Sequence, residues 1–258
     1  MLQFFARGDG PRSLLLLHGF IGSGRNLASL AARWSALNPT LRILVPDQLG
    51  HGASPALPEP PTLDALAAAA RELLHAQHAD DAVLVGHSLG GRVALRLATE
   101  RTPHVVLLDI SPSPITLTDG LETVLTVLLA APAAAASRRE MHAFFTDRGV
   151  PTALADWALM NLIASPEGLQ WRIDRDALRR LNDNASAQDL WPEARRLAPF
   201  LTSVRGANSQ FVSEADVMKF AQLAVPVVTL AGAGHFLHVD QPQALLDRLE
   251  GIIAGQAA

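Results

Sequence analysis

Ser88 stands in Val83-Leu84-Val85-Gly86-His87-Ser88-Leu89-Gly90-Gly91-Arg92-Val93, where an apolar strand, a Gly-x-Ser-x-Gly turn and a helical pattern follow without a gap. A serine hydroxyl at such a turn is a candidate nucleophile for acyl transfer. The turn holds the serine in a strained backbone conformation and brings main chain close on both sides, so its flanking positions must be nearly free of side chain. Gly86 and Gly90 meet that demand. The Leu89 N–H then lies at the positive end of a helix, where an oxyanion would form. His87 adjoins the serine, but neighbours at so tight a turn diverge, and it reads as a packing residue.

Acyl transfer also needs a base and a second oxyanion donor. Near the C-terminus Val225-Pro226-Val227-Val228-Thr229-Leu230-Ala231 runs into Gly232-Ala233-Gly234-His235-Phe236-Leu237-His238, which places His235 at the mouth of a strand as the candidate base. His238 competes and reads as a loop residue bonding to backbone. The stretch Leu17-His18-Gly19-Phe20 offers the Phe20 N–H as partner to that of Leu89, with Gly19 permitting close approach. Gly19, Gly22 and Gly24 also invite a nucleotide-binding reading, but their spacing is not Gly-x-Gly-x-x-Gly. In Asp47-Gln48-Leu49-Gly50-His51-Gly52-Ala53-Ser54 the polar groups Asp47 and His51 are expected to organise a turn through backbone hydrogen bonds.

With these residues in view, the chain resembles the α/β-hydrolase superfamily over nearly its whole length. The His-Gly-Phe, Asp-x-x-Gly-His-Gly-x-Ser, Gly-His-Ser-Leu-Gly-Gly and Gly-His-x-x-His segments carry that likeness. Asp109-Ile110-Ser111-Pro112, Trp171-Arg172 and Gly206-Ala207-Asn208-Ser209-Gln210-Phe211-Val212-Ser213 further resemble a small esterase and thioesterase subfamily of bacteria and mitochondria. In the superfamily the triad acid usually follows the strand that here ends near Arg205, yet Arg205-Gly206-Ala207-Asn208-Ser209 holds no carboxylate. Asp109, at the carboxyl end of the strand beside that of Ser88, is the candidate, and the subfamily resemblance implies the same residue. Asp176 and Glu214 stay open as alternatives, with Asn208 and Ser209 as hydrogen-bonding aides near the histidine.

These groups must be held by a sheet. Short apolar runs at Ser13 to Leu17, Leu41 to Pro46, Ala82 to Gly86, Val105 to Leu108, Leu201 to Arg205 and Val225 to Ala231 predict strands, with Leu2 to Ala6 as an antiparallel edge. Helical patterns cover Asn26 to Ala36, Thr62 to Gln77, Gly90 to Thr99, Glu214 to Leu223 and Pro242 to Ile253. This rhythm predicts an α/β class: a mostly parallel twisted sheet flanked by helices, the α/β-hydrolase fold. It breaks from Pro112 to Ala198, where no strand is predicted, only helical stretches such as Leu121 to Leu129 and Met141 to Phe145, with Ala131 to Ala136 as a helix end or connector. Residues 1–111 and 199–258 therefore read as the core and 112–198 as an inserted helical cap. Phe144, Phe145, Trp157, Met160, Leu162, Trp171 and Trp191 are its apolar candidates, most of them for its own core and some for a substrate pocket.

The 258 residues are 49% hydrophobic and 18% charged, enough for a large core, and the net charge of −4 gives no basic surface for nucleic acid. With 0 Cys there is no thiolate nucleophile, disulfide or Cys-ligated metal, and no secretion signal or membrane span is visible, so a cytoplasmic monomer or homodimer is expected. The expected reaction is hydrolysis of a small-molecule carboxylic ester or acyl thioester of short to medium chain through an acyl-enzyme, with no metal or organic cofactor. The serine elbow excludes the aspartate-dependent epoxide hydrolases and dehalogenases of the superfamily, and Tyr 0 removes the cap tyrosines of the former. Carbon–carbon bond hydrolases and the menaquinone-pathway lyase share a serine elbow, the latter suggested by Ser88-Leu89-Gly90-Gly91-Arg92. A catalytically dead binding module is the reading from another class.

Overall fold

Uninterrupted apolar runs such as Leu14 to Leu17 can be satisfied only where both faces of a strand are covered, and all four of these leucines are buried. The computed structural model describes residues 1–115, 119–166 and 168–255. The predicted core thus includes residues 256–258, and the predicted cap residues 116–118 and 167, that lie outside the described residues. In chain order the first half runs β1 (Phe4–Arg7), β2 (Arg12–Leu17), α1 (Gly24–Leu37), β3 (Leu41–Pro46), α2 (Leu63–Ala76), β4 (Val83–His87), α3 (Leu89–Leu97) and β5 (Val105–Leu108). There follow α4 (Asp119–Ala130), β6 (Ala134–Ala135), α5 (Arg138–Thr146), α6 (Thr152–Leu159), β7 (Leu162–Ser165), β8 (Gly168–Trp171), α7 (Arg175–Ala187) and α8 (Trp191–Leu197). The chain closes with β9 (Leu201–Gly206), α9 (Glu214–Gln222), β10 (Val227–Leu230), α10 (Leu237–Asp240) and α11 (Pro242–Ala254).

A seven-stranded sheet has the order β1-β3-β2-β4-β5-β9-β10, with β1 antiparallel at its edge and every other pairing parallel. Alternate side chains feed two apolar clusters, as a pleat requires: Leu15, Leu17, Leu84 and Leu107 on one face, Leu14, Leu16, Val85 and Leu108 on the other. Buried residues of α2 and α3 join the first cluster, and those of α1 and α11 the second. The register pairs Leu17 with Gly86, His87 with Leu108 and Leu108 with Val204, so the carboxyl ends of β2, β4, β5 and β9 reach one edge together. Every loop named above as a source of chemistry leaves from that edge.

The stretch between β5 and β9 corrects one expectation, for it contains strands. β7 and β8 form an antiparallel hairpin, and the short β6 within the alanine run joins its outer side. Four-residue strands such as Leu-Ile-Ala-Ser are too short to show a period, and their pairing is decided by neighbours distant in sequence. At Gly168 the backbone has φ +121, and a Cβ there would lie 2.6 Å from the Ala135 carbonyl oxygen, so only glycine lets β8 approach β6.

Arg92 on α3 fastens this stretch to the sheet. Its buried guanidinium donates to four main-chain carbonyls: Ser111 at 2.9 Å, Ser113 at 2.8 Å, Ala185 at 3.1 Å and Gln188. Among the described residues no helix is long and apolar enough to cross a membrane. Replacing Arg92 by Met should leave those acceptors bare and cost on the order of 3 kcal/mol, read as a fall in the urea midpoint. An unchanged midpoint would mean that the carbonyls are served without the guanidinium.

Candidate active site

Between β4 and α3 the chain turns at Ser88 with φ 53 and ψ −120, a region that side-chain-bearing residues rarely occupy. The turn is enforced by close packing: a Cβ on Gly86 would lie 2.2 Å from the Gly90 carbonyl oxygen, and one on Gly90 would lie 2.5 Å from that of Leu17. The Ser88 N–H is bound to the Leu108 carbonyl at 3.0 Å, and its own carbonyl accepts from Gly91 at 2.9 Å. The residue borders the main cavity.

Asp109 follows the last residue of β5, is 0% exposed and has φ 52. Its carboxylate accepts from the Gly206 N–H at 2.9 Å through Oδ1, and from the Ser209 hydroxyl and His235 Nδ1 through Oδ2, the latter at 2.8 Å. Donation from Nδ1 leaves Nε2 of the neutral ring as an acceptor, and His235 lines the same cavity as Ser88. Asp176 is instead exposed in the first turn of α7, and Glu214 pairs with Arg205 at 2.7 Å, so neither meets the histidine. Of the two expected aides only Ser209 reaches the carboxylate. Asn208 is exposed and bonds through its backbone N–H to Ala233.

Sequence reasoning missed Phe211, whose ring stacks on that of His235 with centroids 3.9 Å apart at 21°. It is one residue within a motif already singled out, but no local pattern tells which way its ring turns. His87 packs with its ring 4.7 Å from that of His235 and donates from Nε2 to the His235 carbonyl at 2.8 Å. The expectation for His238 needs correcting: it sits in α10, its buried Nδ1 has no hydrogen-bond partner among the described residues, and its ring meets that of His87 edge-on. A helical start at Leu237 points this side chain inward, toward the cavity, instead of to loop backbone.

Also lining the cavity, Gly19 to Gly22 form a turn closed by Gly22 N–H donating to the Gly19 carbonyl at 3.1 Å. Within it the Ile21 N–H donates to His51 Nε2 at 3.2 Å, so the Phe20 amide is not consumed by that network. The Leu89 amide opens α3, where first-turn N–H groups have no helical acceptor. Phe20 and Leu89 both border the cavity. Asp47 accepts from the N–H groups of Gly24 at 2.7 Å and Ala53 at 2.8 Å, and His51 donates to the Leu49 carbonyl, which are the turn-organising roles expected of both.

The cavity measures about 470 Å³, inside the roughly 300–1,000 Å³ usual for small-molecule sites. Of the apolar candidates between β5 and β9, Trp157 and Met160 line it, whereas Phe145 and Leu162 are buried elsewhere and Trp191 packs on Phe220. Ile115 and the α4 residues Leu121, Val124 and Leu125 supply walls that the sequence did not single out.

A mostly parallel sheet whose central strand delivers a serine into a strained strand-to-helix elbow defines the class of α/β-hydrolase folds. The chain belongs to the alpha/beta hydrolase family, whose model matches residues 14–248. It is 27% identical over 261 residues to the sn-1-specific diacylglycerol lipase ABHD11 of Mus musculus, covering 95% of this chain and 83% of the relative. It is 30% identical over 260 residues to the 2-succinyl-6-hydroxy-2,4-cyclohexadiene-1-carboxylate synthase of Pectobacterium atrosepticum, covering 93% of each. A solved marine microorganism esterase superposes with a TM-score of 0.85 over 97% of this chain and 98% of its own, at 22% identity, a likeness of fold.

The site is ringed by imidazoles kept neutral. Burial lowers His18 and His238 to about 4 and, with His18 close by, His51 to about 3. Burial and the neighbouring His235 and His238 push His87 well down too. Unfolded, each titrates near 6.5, so below that pH the unfolded chain binds more protons than the native one. Native stability should be full above about pH 6.5 and fall steadily toward pH 4. Urea unfolding at pH 8, 6 and 5 measures this, and equal stabilities at pH 8 and 5 would contradict it.

Proposed function

We propose that this chain is a serine hydrolase that cleaves carboxylic esters or thioesters of short to medium acyl chains through an acyl-enzyme. The observation that carries the reading is the hydrogen bond of the fully buried Asp109 to Nδ1 of His235, which lines the same cavity as Ser88. In this reading Ser88 attacks the carbonyl carbon while His235 Nε2 takes its proton, and the Asp109 carboxylate steadies the imidazolium that forms. The Phe20 and Leu89 amides receive the developing oxyanion. His235 then passes the proton to the departing alcohol or thiol. Water, deprotonated by the same nitrogen, releases the acid.

A second reading, carbon–carbon bond cleavage or a lyase step on the same fold, is favoured by the similarity to the synthase above. Arg92 weighs against a substrate held through carboxylates. It is the one Arg or Lys among the described lining residues, its guanidinium is committed to four carbonyls, and Asp156 and Asp240 add negative charge around the cavity. A neutral acyl group suits such a lining better than an anionic one.

A panel of p-nitrophenyl esters and acyl-CoAs should be turned over by the wild type, with Ser88→Ala silent and Asp109→Asn slowed by about 10²–10⁴-fold in kcat. A fluorophosphonate probe should label Ser88. No turnover above the Ser88→Ala control, with no labelling, would end the ester reading.

A further inference from the structure

Asn161 has no part in the reaction as written, yet it is 3% exposed and reaches out of the inserted segment into the wall of the site. It lies between α6 and β7. Its Nδ2 donates to the Ile21 carbonyl at 2.7 Å and to that of Ala158 at 3.3 Å, which uses both amide protons. Its own turn is fixed by Arg172, whose N–H donates to the Asn161 carbonyl at 2.9 Å and whose guanidinium donates to that of Met160 at 3.1 Å. Arg172, of the Trp171-Arg172 pair that stood out in the sequence, therefore supports the placement of Asn161.

The recipient is strained. Ile21 is the third residue of the Gly19–Gly22 turn and has φ 46, a position that glycine or asparagine ordinarily fills and a β-branched residue avoids. An isoleucine stays there only if its surroundings over-determine it. His51 Nε2 holds its N–H and Asn161 Nδ2 holds its C=O, so the two peptide groups of Ile21 are clamped from opposite partners. These are the Phe20–Ile21 and Ile21–Gly22 peptides, and the Phe20 N–H sits in the next unit upstream, Gly19–Phe20, within the same turn.

We propose that Asn161 is a positioning residue for the oxyanion donors. By clamping Ile21 in its positive-φ conformation it holds the Gly19–Gly22 turn in shape and, through that turn, the direction of the Phe20 N–H one peptide upstream, so that the segment between β5 and β9 tunes transition-state stabilisation as well as walling the cavity. This rests on the ester-hydrolase reading above. A donor displaced by a fraction of an ångström loses most where charge is greatest, in the tetrahedral intermediate, and little in the ground state.

The test uses Asn161→Leu and the isosteric Asn161→Asp, which loses the donor and faces the Ile21 carbonyl with an acceptor. The expected result is a fall of about 10- to 100-fold in kcat on a p-nitrophenyl ester, with KM changed less than about threefold. Affinity for a trifluoromethyl ketone, which forms an oxyanionic adduct with the serine, should fall by the same factor, and affinity for the product acid should hold. If both variants fold and keep kcat and ketone affinity, or raise KM alone, Asn161 merely packs the wall and the inference is overturned. If Asn161→Leu fails to fold, the Asp variant decides by the same readings. A wild type that neither labels with fluorophosphonate nor turns over esters would instead bring down the underlying reading, and this one with it.

Discussion

The Asp109 carboxylate is wholly removed from water, and an ion in that position costs several kcal/mol unless nearly all of its acceptor capacity is used. The carboxyl edge of the sheet is organised to use it. β9 pairs beside β5 so that the Gly206 N–H faces Oδ1, the loop beyond β9 returns the Ser209 hydroxyl to Oδ2, and the loop after β10 brings His235 to the same oxygen. The end of β9 and the loop beyond it thus donate hydrogen bonds to a carboxylate that follows the neighbouring strand β5. Once that charge is satisfied, the tautomer and orientation of His235 follow from it.

Three non-glycine residues with positive φ stand around this centre: Ile21, Ser88 and Asp109. Each costs backbone energy, and each is held by contacts that a relaxed conformation would forfeit. Ser88 is held by the approach of Gly86 and Gly90 to neighbouring main chain, Asp109 by its N–H on Val204 and its saturated carboxylate, and Ile21 by His51 and Asn161. The strain therefore lies where geometry has to be kept, and the apolar sheet behind it supplies the rigidity.

The stretch between β5 and β9 joins the sheet through polar groups as much as through apolar ones. Arg92 reads four carbonyls, and Asn161 reads one in the loop after β2. The neutral histidines serve the same end. An imidazole that keeps one nitrogen free of a proton can accept from a backbone N–H, as His51 does from Ile21 and His18 does from Gln48, and a charged one could not.

The α/β class and the positions of the parallel strands along the chain were written in the sequence, because a strand buried on both faces must be apolar throughout: Leu41–Pro46 and Val105–Leu108 fall where the apolar runs lie. The family was legible for the same kind of reason, since a Gly-x-Ser-x-Gly elbow needs its glycines in fixed places and no distant residue can substitute for them. The hairpin β7–β8 was not, because four residues carry too little pattern to outweigh what their partners decide. Nor could local pattern choose among Asp109, Asp176 and Glu214, stack Phe211 on His235, or send the Asn161 amide to Ile21. Those contacts join residues from roughly 24 to 140 positions apart, and only the packing of one strand or loop against another brings such groups within reach.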